Sequence, residues 1–207
     1  MILIFDLDGT LVDSAQGVID AVKKTLEINQ IKPIVNLRKE LIGPPLEILL
    51  SEIAGISDKQ ILDKLKTSFT NLYDNVYVNK IKAYDGIQLI LEELKLKNHK
   101  LYVATNKRTI PTLKIINKLS WDNMFDDLYS LDKFTPSKIN KAELLKELIK
   151  ANNLNISDVI YIGDKFDDQI AAQQNNIKFL AAAWGYDSWN RDEKFVLQNP
   201  SQIHEFI

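Results

Sequence analysis

Residues 4–14 read IFDLDGTLVDS. An apolar run that begins at Ile2 meets two carboxylates, Asp6 and Asp8, one residue apart, and then Gly9-Thr10. Continuous rather than alternating hydrophobicity over Ile2–Phe5 predicts a strand covered on both faces, as in a parallel sheet packed between helices. Residues two apart on a strand point to the same side, so Asp6 and Asp8 would converge on one space. If the strand is central, that space lies at its carboxyl end, where open α/β sheets bind ligands. Two anions there repel one another and resist burial unless a positive group compensates. A hard divalent cation is the simplest compensation, since carboxylate oxygens favour magnesium over softer metals. A solvated strand end closed by an Asp8-Gly9 turn is the competing reading of the same residues.

Working outward, similar apolar runs lie at residues 101–104, 159–162 and 177–182, with Asp127–Ser130 a weaker example. Helical patterns fall between them. Residues 86–97 carry Leu89, Ile90 and Leu94 on one face, and Lys141–Ala151 carries Leu144, Leu145, Leu148 and Ile149. This alternation from residue 84 onward predicts a doubly wound α/β sheet with right-handed crossovers. Residues 15–80 break the pattern with helices alone. Val18, Ile19, Val22 and Leu26 form one stripe with Ser14 as its N-cap, and Leu46, Leu49, Leu50 and Ile53 form another, with Pro45 before it and Gly55 after. Ser57 and Gln60 read as a capping box for a third helix containing Ile61, Leu65, Phe69 and Leu72. The expected organisation is a core of residues 1–14 and 81–207, with 15–80 inserted as an all-helical cap.

Composition narrows the function. The 207 residues are 45% hydrophobic and 26% charged, ordinary for a soluble globular chain with room for one domain and an insertion. A net charge of -2, from 26 Lys+Arg against 28 Asp+Glu, gives no basic excess for a nucleic-acid polymer or an anionic membrane. With no cysteine, disulfides, thiolate nucleophiles and zinc–cysteine sites are excluded, and His99 and His204 are too few for a histidine metal cluster. The apolar start reaches Asp6 too soon for a signal peptide or a membrane span, so a cytoplasmic enzyme or binding protein is expected. Oligomeric state is silent.

Three further segments bear on the paired acids. In VATNK, Thr105 and Asn106 follow Val103-Ala104, and their hydroxyl and amide could hold anionic oxygens or simply make a turn and cap. In VIYIGDKFDD, Asp164 follows another strongly apolar strand, and Asp168 lies one helical turn on, on the same side. Three acids converging from two strand ends would make a metal site. In TPSKINKAELL a lysine could neutralise the acids and steady a transferring phosphoryl group, or be an ordinary surface helix start.

In this combination the sequence resembles the haloacid dehalogenase-like phosphatases, in the branch with a helical cap after the first motif, over nearly the whole chain. DLDGTLVDS resembles the first motif, TNK the second and GDKFDD the fourth. The resemblance implies a Rossmann-like core and phosphate-ester hydrolysis through an aspartyl-phosphate. In it Asp6 is the nucleophile, Asp8 the acid/base residue and Thr105 a phosphate ligand. Asp6, Asp164 and the Asp8 backbone carbonyl hold Mg²⁺, with Asp168 an outer or water-linked partner. Lys141, 164 − 141 = 23 residues before Asp164, fits the family's lysine; Lys138 is the fallback, and the usual Lys-Pro-x-Pro form is absent. LIGPPLEIL and AAWGYDS are similar to segments of phosphoglycolate phosphatase-like members. The first would bring Gly43, Pro44 and Pro45 to the substrate pocket. Asp8 and Thr10 favour ester hydrolysis over dehalogenation or phosphonate cleavage. The implied partner is a small phosphorylated metabolite: a phosphorylated acid such as phosphoglycolate, a sugar phosphate or a nucleotide. A phosphosugar mutase would need the same acid pair, and a non-catalytic binding module of this fold is the remaining alternative.

Overall fold

Strand β1 (Ile2–Phe5), which carries the paired acids at its end, lies between β4 (Lys100–Thr105) and β6 (Val159–Gly163) and pairs in parallel with both. The computed structural model describes residues 1–134 and 140–207, so Lys138 falls outside the described residues. The sheet continues outward through β5 (Asp127–Ser130) on one side, and through β7 (Lys178–Ala182) and β8 (Val196–Leu197) on the other. Its order is β5-β4-β1-β6-β7-β8, with every neighbouring pair parallel. Phe5 stands opposite both Val103 and Ile162, which aligns the carboxyl ends of the three central strands.

Side-chain alternation explains the unbroken apolar runs. Leu3, Phe5, Leu101, Val103, Ile160 and Ile162 pack on the face covered by α4 (Ile87–Leu96) and α5 (Thr109–Lys118). Ile4, Tyr102, Ala104, Val159 and Tyr161 pack on the other face, against α6 (Lys141–Ala151) and α7 (Phe166–Gln174). With both faces buried, the inner positions of the three central strands carry no charged residue. On α4 the buried residues are Ile87, Ile90, Leu91 and Leu94. Leu89, expected on the buried face, is 60% exposed because the helix turns Leu91 inward instead.

A two-residue antiparallel ribbon, β2 (Val12–Asp13) with β3 (Lys82–Ala83), marks where the chain leaves the sheet and returns. Between them run α1 (Ala15–Ile28), α2 (Leu46–Ala54) and α3 (Lys59–Asn75). Val18, Val22, Leu50, Ile53, Leu65 and Phe69 from these helices join the same apolar cluster as Phe5 and Val103. Gly55 ends α2 in the left-handed conformation. Two cap expectations are corrected. Ser14 occupies the N-cap position of α1, but its hydroxyl makes no capping bond and turns to Asp8 instead. The cap of α3 is Asp58 rather than Ser57: its carboxylate accepts from the Gln60 and Ile61 amides at 2.9 and 3.0 Å. The buried face therefore starts at Leu62, and Ile61 is exposed. No helix among the described residues is long and apolar enough to cross a membrane.

Candidate active site

Asp6 and Asp164 sit just past the ends of β1 and β6, and Asp168 is the third residue of α7. All three are buried, and one carboxylate oxygen from each lies within 4.8 Å of the others. Lys141, the first residue of α6, reaches into this group. Its Nζ lies 2.6 Å from Asp6 Oδ1, 3.0 Å from Asp168 Oδ1 and 3.0 Å from the Tyr161 hydroxyl. The start of α6 is set by Asn140, whose side chain accepts from the Glu143 amide, and this aims Lys141 at the strand ends. Asp168 is fixed twice more. Oδ1 accepts from Tyr161 at 2.9 Å, and Oδ2 accepts from the Lys165 amide at 3.1 Å at the head of α7.

Asp164 is gripped from two loops. Thr10 Oγ1 donates to Oδ1 at 3.2 Å and the Tyr186 amide donates to Oδ2 at 2.8 Å, while the Trp189 indole holds the Asp164 carbonyl at 2.8 Å. Gly9 and Gly185 approach so closely that a Cβ on either would collide with the Asp164 side chain, and Gly9 has φ +86°. Burial, against the opposing pull of Lys141 and with the repulsion of Asp168 and Asp8, pushes the Asp6 carboxyl from 3.8 up to about 7. Burial, Asp168 and Asp6 drive Asp164 well above the carboxylate range. Burial works against the Lys141 ammonium, yet Asp168 and Asp6 hold its pKa above the ordinary lysine value. One ammonium among three buried carboxylates leaves an excess of negative charge, and the donor set is entirely oxygen. Such a group fits a hard divalent cation such as Mg²⁺.

The carboxylate of Asp8 stands apart from that trio. Ser14 Oγ donates to Oδ1 at 2.5 Å, and Lys107 Nζ lies 2.8 Å from Oδ2. Lys107 also donates to the Tyr73 hydroxyl, 2.9 Å away on the last turns of α3. The next residue in each partner segment pairs too: Arg108 makes a two-pronged contact with Asp74 at 2.6 and 3.1 Å. Arg108 thus faces the site, whereas the Arg38 side chain is 70% exposed.

Between the sheet and the helical block lies a cavity of about 60 Å³, reached by Asp6, Asp8, Thr105 and Asn106 from below and by Gly43 and Pro44 from above. Thr105 is buried, with its Oγ1 accepting from the Lys107 amide at 3.2 Å. Asn106 Nδ2 donates to the Gly43 carbonyl at 2.8 Å, while its Oδ1 is buried without a protein partner. Val18, Ile42, Leu49 and Phe69 give the cavity an apolar upper wall. A larger recess, about 380 Å³, shares Pro44 and Asn106 with it and extends past Pro45, Ile48 and Lys141.

The structure therefore brings Asp6, Asp164, Asp168 and Lys141 into contact, and places Asp8, Thr105, Asn106, Gly43 and Pro44 around the adjoining cavity. Sequence reading passed over four contributors. They are Lys107 inside the TNK motif, Tyr73 in the third helical stretch, Tyr161 in the apolar run at 159–162 and Tyr186 in AAWGYDS, none of which was given a role at the site. Only Tyr161 carried a usable signal: a hydroxyl in an otherwise apolar strand that ends at a candidate metal ligand.

Comparison with known proteins identifies the family. The family model described as haloacid dehalogenase-like hydrolase matches residues 3–182. A 5'-nucleotidase of Pseudomonas aeruginosa is 27% identical over 192 residues, covering 90% of this chain and 84% of that protein. A phosphoglycolate phosphatase of Aquifex aeolicus is 29% identical over 208 residues, covering 98% and 94%. The crystal structure of a predicted phosphatase from Clostridium acetobutylicum superposes with a TM-score of 0.87 at 26% identity, covering 99% of this chain and 96% of that one. With a family model spanning most of its length, the chain belongs to the haloacid dehalogenase-like hydrolases.

Proposed function

We propose that the protein is a Mg²⁺-dependent phosphatase acting on small phosphomonoesters, with residues 15–80 serving as a cap over the site. One observation carries the reading. Two aspartates from one strand end face one cavity, and they are held by different lysines: Asp6 by Lys141 and Asp8 by Lys107. That separation suits two different tasks. Asp6 attacks phosphorus in line, so an Asp6–phosphorus bond forms as the bond to the leaving oxygen breaks. Asp8 gives that oxygen its proton, and then takes one from the water that cleaves the aspartyl-phosphate and frees Asp6. Lys141 and Thr105 bind phosphoryl oxygens in this scheme. Asp6 and Asp164, with Asp168 beside them, would hold the Mg²⁺, which supplies charge screening between carboxylate and phosphate.

Leaving-group identity is set by the cavity. Its apolar upper wall suits an organic group, and the recess of about 380 Å³ that shares Pro44 and Asn106 with it leaves room beyond. The Aquifex relative's name points to phosphoglycolate and the Pseudomonas relative's to a nucleotide. A panel of phosphomonoesters assayed for phosphate release with MgCl₂ decides between them, with Asp6→Asn as the control. Activity should fall by about 10³-fold or more in that variant with the fold kept. Near-full turnover by Asp6→Asn would reject the assignment, and phosphoryl transfer from a sugar bisphosphate without phosphate release would establish a mutase instead.

A further inference from the structure

The Lys107–Tyr73 pair is a buried charged assembly at the site that the proposed chemistry does not yet use. The Lys107 and Asp8 side chains are 7% and 11% exposed, so their 2.8 Å ion pair is nearly shut off from solvent. The same ammonium donates to the Tyr73 hydroxyl and lies 4.8 Å from the centre of that ring. Tyr73 is itself fixed: its ring stacks on Phe69 at 5.2 Å, and the neighbouring Asp74 is clamped by Arg108 and, through its carbonyl, by Lys114 at 2.7 Å. Two groups therefore meet on one carboxylate, and a third reaches it through one of them. Lys107 comes from the end of β4, Ser14 from the ribbon, and Tyr73 acts through Lys107 from the cap helix.

Resting on the reading of Asp8 as the acid/base residue, we propose that Lys107 is a positioning residue for Asp8, held in place by Tyr73. It orients the carboxyl that serves the leaving oxygen and makes that orientation depend on the seating of α3. Fixing one carboxylate oxygen from each side leaves the group a single orientation, and proton transfer needs heavy atoms within hydrogen-bond reach. In the first step the Asp8 proton passes to the leaving oxygen, and the carboxylate left behind already faces the Lys107 ammonium. A lysine that bound the substrate's phosphate would instead act on every ester alike.

The test compares two esters by kcat/KM, which reports only steps through formation of the aspartyl-phosphate. One is the best alkyl phosphate of the panel, whose leaving oxygen needs a proton. The other is p-nitrophenyl phosphate, whose leaving group does not. Lys107→Met should lower the alkyl value about 100-fold and the nitrophenyl value by about threefold or less, in line with what a positioned general acid contributes. Lys107→Arg should recover part of the alkyl loss. Tyr73→Phe keeps the ring stack and removes only the hydroxyl. It should lower the alkyl value selectively and add nothing in the Lys107→Met background. Equal losses on both esters, or independent effects of the two substitutions, would overturn the proposal. Should Lys107→Met fail to fold, the ester selectivity of Tyr73→Phe decides by the same criterion. Absence of turnover by the unmodified protein on any ester would instead remove the phosphatase reading itself.

Discussion

Asp164 fits where it does because positions 9 and 185 have no side chains. A Cβ at Gly9 would run into the Asp164 carboxylate, and its φ of +86° is one that other residues adopt only under strain. Gly9→Ala should therefore cost about 2 kcal/mol of stability in urea unfolding and weaken Mg²⁺ binding. A variant with unchanged unfolding midpoint and unchanged metal titration would show that the loop relaxes freely. The acids themselves were legible from their spacing after apolar strands, because a strand end fixes where the next residue points. Lys141 was legible only through the family resemblance, from its spacing before Asp164 and the apolar stripe that follows it, with Lys138 as the fallback. Lys107 and Tyr186 were not, although both touch the site. Each lies in a loop or turn, where no periodicity says which way a side chain faces. Ser14 shows the same limit from the other side. Its place before a helix made it a cap on paper, while a 2.5 Å bond to Asp8 claims its hydroxyl in the fold.

Among the elements, β1, β4, β5, β6 and β7 and the helices α4 and α6 were read to within about one residue, the usual disagreement over ends, while α5 and α7 were given no bounds. Their signal is burial on both faces or along one stripe. The ribbon of β2 and β3 and the short β8 were missed, since two residues contain no period to detect. The start of α3 shows how a one-residue shift changes a face. Ser57 and Asp58 are both good caps, and only the bonds decide: Asp58 accepts two amides of the first turn. The buried ridge then runs Leu62, Leu65, Phe69, Tyr73, which puts Tyr73 over Lys107. Removing this cap by Asp58→Ala should cost about 1 kcal/mol, while Ser57→Ala should stay within about 0.5 kcal/mol of the parent. Thermal unfolding of the two variants side by side checks the assignment, and the reverse order would refute it. The end of α3 that bears Tyr73 and Asp74 is bound to the β4–α5 connection, so loss of helix start and loss of site contact are separable measurements.

On the scale of the whole molecule, one apolar cluster runs from the sheet into the helical block, and the buried acids sit at its edge. The energetic consequence concerns pH. Burial raises the folded-state Asp6 pKa from 3.8 to about 7, so the folded protein binds more protons than the unfolded chain between those values. The stabilisation from this group is complete below about pH 3.8 and is lost as pH rises through about 7. Asp164, shifted in the same direction, adds to the loss as pH rises. In chelator, the melting temperature should thus fall between pH 6 and 8. Asp6→Asn, which has no carboxyl to ionise there, should show a shallower slope. Mg²⁺ favours the ionised acids, and a ligand stabilises in proportion to the logarithm of its concentration over its dissociation constant. Added MgCl₂ should therefore raise the melting temperature more at pH 8 than at pH 6, reducing or reversing the slope seen in chelator. Sodium chloride at equal ionic strength separates this from screening. An equal rise at both pH values, or a slope untouched by Asp6→Asn, would mean that the buried acids are not where the proton uptake and the cation meet.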